Sequence, residues 1–176
     1  MLYNSIFDEL LAILNYDINF DLDNSKILGF TYDDLISKKD INYVGYRSGI
    51  LHLSKLIEQY AIEKKVPLLI DIQNDKRFLL SENRMKNIFK QVPSVSMIGN
   101  FSEDLKFDSN VKIINCGKNA LEKNWIVLTK DDDGLFGLVT EQIDDKSFRG
   151  FYSGNSEIME PLIKIISNNL NFDIQI

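Results

Sequence analysis

Apolar positions along the chain follow two rhythms, a helical spacing of three to four residues and short continuous runs, and their alternation sketches a fold. Ile6, Leu10, Leu11 and Leu14 keep the helical spacing, which predicts a short amphipathic helix near the start. From Asn15 to Asp40 the pattern is less regular and rich in Asp and Asn, with a strand expected over residues 26–30. Tyr43, Val44, Gly45 and Tyr46 read as a further extended piece. The clearest helix spans about 49–65. There Ile50, Leu53, Ile57, Tyr60 and Ala61 form one apolar stripe while Lys55, Gln59 and Glu63 face away. Pro67 falls where that helix must already have ended. Residues 67–72 then form a nearly unbroken apolar run of strand length, the mark of a strand covered on both faces.

A second helix is expected over 81–91 through Met85, Ile88 and Phe89, followed by strands over 94–101 and 111–116. The last third changes character. Two apolar runs, 125–129 and 135–140, flank the turn Asp131-Asp132-Asp133-Gly134, and a third run over 148–152 follows Asp144-Asp145. Asp-Gly between apolar runs is a hairpin signal, so these read as a three-stranded antiparallel meander. Ile158, Leu162, Ile166 and Leu170 define a closing helix. Pro161 is compatible with a first helical turn only, which places the start near Ser156 to Met159. The expected fold is α/β: one domain with a mixed sheet, a parallel centre plus a C-terminal antiparallel meander, and flanking helices.

Length and composition fit one domain. The 176 residues are 44% hydrophobic and 26% charged, ordinary for a globular core. Twenty basic against 26 acidic residues give a net charge of −6, and a phosphate backbone needs clustered cations to release its counterions. Nucleic acid is therefore not an expected partner, and Lys76, Arg77, Arg84, Lys86 and Lys90 read as a solvated helix face. No apolar run approaches the roughly 20 residues of a membrane span, and the first residues include Asp8 and Glu9 without a basic leader. No membrane association and a cytoplasmic location are the expectations. Cys116 alone can form no internal disulfide and reads as a packed thiol in a buried strand.

The search for chemistry finds no catalytic set and no metal site. His52 is the single histidine, on the flank of the 49–65 helix, and is expected to face solvent. Placing Gly134 at the sixth position of a calcium loop puts Thr129 and Thr140 where carboxylates are required. Gly117-Lys118 lacks the rest of a phosphate-binding loop. Glu58 and Glu141 are the acidic residues placed nearest the core, but their spacing does not show that they converge.

Several short motifs in order resemble the DICT sensory domain, a family found with diguanylate cyclases and two-component systems. They are Leu53-Ser54-Lys55-Leu56-Ile57-Glu58, the strand ending at Ile72-Gln73, Lys76-Arg77-Phe78, Trp125-Ile126-Val127-Leu128, the strand ending at Glu141, and Ser147-Phe148-Arg149-Gly150-Phe151. The resemblance covers about 5–170. It implies signal input in place of catalysis, with action on a separate output protein because no output domain is attached, and it names neither ligand nor cofactor. The recurring positions it carries over are Ser54, Glu58, Gln73, Arg77 and Glu141, with the aromatic Phe78, Trp125, Phe148 and Phe151. Gln73 and Arg77 follow a strand's C-terminal end, where open α/β sheets tend to bind ligands, so Arg77 is a candidate to hold an anionic group that Gln73 orients.

Three functions remain open from the sequence. The first is a regulatory domain that binds a small-molecule signal and relays it to a signalling partner. The second is an adaptor or homodimerising module without a ligand. The third is an enzyme using carboxylates.

Overall fold

Caps and breaks in the sequence set where each element begins. The computed structural model describes residues 5–14, 22–37 and 40–176. Helix α1 (Ile6–Leu14) buries Ile6, Phe7 and Leu10. Two short helices follow, α2 (Asn24–Leu28) and α3 (Tyr32–Ile36), capped by Asp23 and Thr31 respectively. Strand β1 (Ile41–Tyr46) runs straight into α4 (Arg47–Lys64). Strand β2 (Leu68–Asn74) leads into α5 (Asp75–Phe89), whose N-terminus is held by the Asn74 side chain accepting from the Arg77 N–H at 3.1 Å. Then come β3 (Val95–Asn100), β4 (Val111–Asn115), a 3-10 turn (Ala120–Lys123), β5 (Asn124–Asp131), β6 (Gly134–Gln142), β7 (Ser147–Ser153) and α6 (Ser156–Leu170).

The seven strands form one mixed sheet in the order β1-β7-β6-β5-β2-β3-β4. Strands β2, β3 and β4 are parallel and form one flank; β5, β6 and β7 are the antiparallel meander, extended by β1. Strand β2 is where direction changes, parallel to β3 and antiparallel to β5. Its alternating side chains feed two cores. Leu68, Ile70 and Ile72 join Leu53 and Ile57 of α4 and Phe78 of α5 on one face. Leu69 joins Phe7 of α1 and Leu162 and Ile166 of α6 on the other. The both-sided burial read from the apolar run of β2 is thus a property of the molecule. Among the described residues, no helix is long and apolar enough to cross a membrane.

Several local expectations are corrected. The segment 26–30 is helical in place of extended, because the Asp23 carboxylate accepts from the N–H groups of Ser25 and Lys26 and starts α2. The second long helix begins two turns earlier than expected and ends at Phe89, since Asn74 supplies the cap ahead of Lys76-Arg77-Phe78. The run at 111–116 is the sheet's last strand, ends at Asn115 and is only partly buried; its position at the edge leaves one side without a partner strand among the described residues. Cys116 is half-buried, and burial together with the charges of Asp71 and Glu122 pushes its thiol up to about 12. His52 is half-buried in place of solvent-facing, with Nε2 donating to the Phe30 carbonyl at 2.6 Å. Helix α6 starts at Ser156, within the expected range, but Pro161 sits in its second turn and not its first. The part of the irregular region at 15–21 and 38–39 lies outside the described residues.

Candidate functional site

Pairing registers bring one set of strand ends to a common edge. Tyr46 lies opposite Ser147, Phe148 opposite Gln142, Glu141 opposite Asn124, and Ile126 opposite Asp71. The helices α4 and α5 both start from this edge, directly after β1 and β2. Two regions along it are built unlike the rest of the molecule.

The first is the end of β2. The register with β3 shifts between Asp71 and Asn74, so three steps on β2 match two on β3, and Gln73 within that bulge has a φ of 70°. A left-handed, non-glycine residue in a strand costs on the order of 1 kcal/mol or more and persists only where its surroundings hold it. The Gln73 N–H donates to Asp71 Oδ1 at 3.0 Å, and Gln73 Nε2 donates to Gln142 Oε1 at 3.0 Å. The result is a concentration of buried acceptors. Asp71 Oδ2, Gln73 Oε1, Asp75 Oδ1 and Asn124 Oδ1 are all buried without a hydrogen-bond partner among the described residues. Burial, with no cation beside it among the described residues, raises the Asp71 carboxyl well above the usual carboxylate range. The 3-10 turn covers this end, with Glu122 Oε1 accepting from Asn100 Nδ2 at 2.9 Å.

The residues singled out from the sequence do not gather there. Strand alternation divides them between the two faces. Ser54, Glu58, Phe78, Trp125 and Phe148 lie on the α4/α5 side, and Glu141 lies on the α1/α6 side with Phe151. Each has a structural partner. Trp125 Nε1 donates to Ser54 Oγ at 3.0 Å in the core. Glu58 receives Arg84, a pair that offsets the upward push of burial on its carboxyl without cancelling it. Phe78 packs edge-on against Phe107. The Arg47 guanidinium lies 5.7 Å from the centre of the Phe148 ring. Glu141 accepts from Ser5 Oγ at 2.8 Å and from Arg149, which also binds Asp8 and stacks on Phe7; together they fasten α1 to the sheet. Gln73 is at the expected strand end, but no hydrogen bond joins it to the half-buried Arg77 side chain. Glu58 and Glu141 face opposite sides and do not converge.

The second region is a cavity of about 550 Å³ at the far part of the same edge, beside β1, α2 and the start of β7. Its apolar lining is Leu28, Val44 and Tyr46, which are 47%, 36% and 58% exposed, and its polar lining includes Asp23, Asn24, Ser25 and Ser147. The hydroxyl of Ser25 and the neighbouring N–H groups hold the Asp23 carboxyl below its ordinary value, so it is anionic. Asn24 connects the cavity to α4. Its Oδ1 accepts from the N–H groups of Tyr46 and Gly49 and from the Tyr43 hydroxyl, at 3.2, 3.0 and 2.8 Å. It therefore caps α4 from outside the helix, a task Tyr46 at the cap position does not perform with its own side chain. Gly49 permits this, because a Cβ there would collide with the Tyr43 hydroxyl and with Asn24 Oδ1.

None of these lining residues was a site candidate from the sequence, although Ser147 opens one of the motifs of the resemblance. A usable signal was present in Asp23-Asn24-Ser25, a run of capping residue types, and in Asp71, a lone acid inside an apolar strand. Among the described residues, no group of three or more His, Cys, Asp or Glu is placed to hold a metal ion.

No protein-family model matches the chain, and no curated protein matches it. Among solved structures, polyphosphate kinase from Porphyromonas gingivalis is similar, at 12% identity and a TM-score of 0.52 over 93% of this chain. The chain spans 26% of that kinase's length, and at this identity the likeness is one of fold alone.

Proposed function

We propose that the chain is a regulatory domain that binds a small organic molecule in the cavity beside β1 and relays its presence to a separate partner in the cytoplasm. The observation that carries this reading is the coincidence of three exposed large apolar side chains, Leu28, Val44 and Tyr46, on one cavity of ligand size. The resemblance of the sequence motifs to DICT sensory domains points the same way, with the input site moved along the strand-end edge from Gln73 and Arg77. The ligand suited to this lining has an apolar or aromatic body and a hydrogen-bond donor or cation for Asp23. A polyanionic phosphate chain, suggested by the name of the similar kinase, suits the edge poorly, because Asp23, Asp75 and Glu122 lie along it and the chain carries −6 overall. Relay would run through Asn24. A ligand that shifts this side chain alters the cap on the 18-residue helix α4.

Native mass spectrometry of the purified protein, before and after denaturation, tests the reading. A small-molecule mass released on denaturation and absent from Leu28→Trp, which fills the cavity, is the expected result. Retention of that molecule by Leu28→Trp at wild-type occupancy would refute the assignment and direct attention to the end of β2.

A further inference from the structure

Among the described residues, five buried side-chain atoms lack a hydrogen-bond partner, and four of them are oxygens at or beside the end of β2. The fifth, Arg84 Nη2, belongs to α5 beside Glu58, so no unpartnered donor accompanies the oxygens. Three of the four come from residues that are almost wholly enclosed: Asp71, Gln73 and Asn124 are 0%, 2% and 1% exposed. Buried acceptors without donors mark a place where a positive charge or a donor is missing.

The register brings these oxygens together. Asp71 lies opposite Ile126, so Asn124 is its diagonal neighbour on the α1/α6 face, about 7–8 Å away between Cα atoms. Asn124 Nδ2 donates to the Thr140 carbonyl on β6 at 3.1 Å, which leaves Oδ1 for the β2 side. Gln73 Nε2 reaches Gln142 on β6, so the Gln73 carboxamide spans the end of β5, where Asn124 begins the strand. The 3-10 turn adds Glu122, and the charges of Glu122 and Asp71 both reach the Cys116 thiol. The left-handed backbone of Gln73 falls at the same point, and strain of this kind collects at ligand clamps.

We infer that the end of β2 binds a divalent metal ion through Asp71 Oδ2, Gln73 Oε1 and Asn124 Oδ1, with Glu122 supplying the second negative charge. Carboxylate and amide oxygens are the hard ligands of Ca²⁺ and Mg²⁺, and two carboxylates balance a divalent charge. A water molecule offers two donors to three acceptors and no charge for the carboxylates. An organic cation is too large for oxygens enclosed to this degree. The ion ties β2 to β5 and to the 3-10 turn, and it steadies Gln73 just ahead of α5. It does not depend on what fills the cavity beside β1, and either proposal can fail without the other.

Terbium luminescence tests the site, since Tb³⁺ takes the same oxygen ligands as Ca²⁺ and is excited through a nearby indole. Trp125, the single tryptophan, directly follows Asn124. Excitation of Trp125 should give Tb³⁺ emission that Ca²⁺ displaces. Tb³⁺ affinity should fall about tenfold or more in Asp71→Asn and about fivefold in Glu122→Gln, and stay unchanged in Asp132→Asn on the exposed β5–β6 turn. Saturating Ca²⁺ should raise the wild-type melting temperature by about 3 °C or more and leave that of Asp71→Asn unmoved. In chelator Asp71 meets no positive charge, and both site variants should then melt no lower than the wild type. Should Asp71→Asn not fold, Glu122→Gln carries the same comparison. Wild-type affinity in both site variants, loss of emission in Asp132→Asn, or a wild-type melting temperature indifferent to both Ca²⁺ and Mg²⁺ overturns the inference.

Discussion

Asp71 sits at full burial in a strand otherwise made of Leu and Ile, with one oxygen accepting from the Gln73 N–H and the other unpartnered among the described residues. A charged carboxylate there would have no cation to meet, so burial raises its folded pKa above the unfolded value. In the interval between those two values the folded state holds a proton that the unfolded chain has released. Stability from this residue is therefore fully present below the unfolded pKa, at about 3.9, and is lost as pH rises toward and through the folded one. Asp71→Asn keeps the shape and removes the titration. Its melting temperature should match the wild type near acid pH and exceed it by about 3 °C or more at alkaline pH. A gap that is constant across the pH range, or a wild type that melts higher at alkaline pH, would show that Asp71 is ionised and paired in the fold. The sequence displayed this residue as a lone acid in an apolar run, yet burial of that magnitude exists only once two cores close over β2.

At the scale of elements, the apolar rhythms were a sound guide wherever an element's own side chains decide its state. Helix α4, strand β2 and the three-stranded meander all follow from spacing alone, and the Asp131-Gly134 turn closes β5 onto β6 as Asp-Gly predicts. The errors lie where a single side chain outside the rhythm sets the boundary, as Asp23 does for α2 and Asn74 for α5. Glycine in the meander shows a second kind of hidden constraint. Gly137 has a φ of 153°, and a Cβ there would run into the Val127 carbonyl oxygen and the Leu128 Cα of the neighbouring strand, both backbone atoms. Gly137→Ala should cost about 3 kcal/mol or more in chemical denaturation. A loss under about 1 kcal/mol would mean that β5 and β6 separate without penalty at this point.

At the scale of the whole molecule, the sheet is a partition. Ser54 with Trp125 belongs to the α4/α5 core, and Glu141 with Arg149 belongs to the side that holds α1. If these pairs are separate devices, their losses should add. Ser54→Ala leaves the Trp125 N–H unpaired in the core and should cost about 1–3 kcal/mol. Combined with Glu141→Gln, the double variant should equal the sum of the single losses within about 0.5 kcal/mol. A coupling well beyond that would tie the two clusters into one site across the sheet. The same partition governs the proposed function, since the cavity bears on α4 through Asn24.

The sequence by itself determined the fold class, the strands of the meander, the central buried strand and the long helices, because periodicity records which faces an element must bury. It also placed Gln73 at the strand-end edge. Which residues share a site was decided only by the tertiary structure. Successive strand residues point to opposite faces, so near neighbours in sequence such as Glu141 and Gln142 part company. Distant ones such as Asn24, Tyr46 and Ser147 meet, through the register of β1 with β7 and the docking of α2 against the start of α4. Spacing along a chain carries no record of that register, which is fixed by the packing of both faces at once.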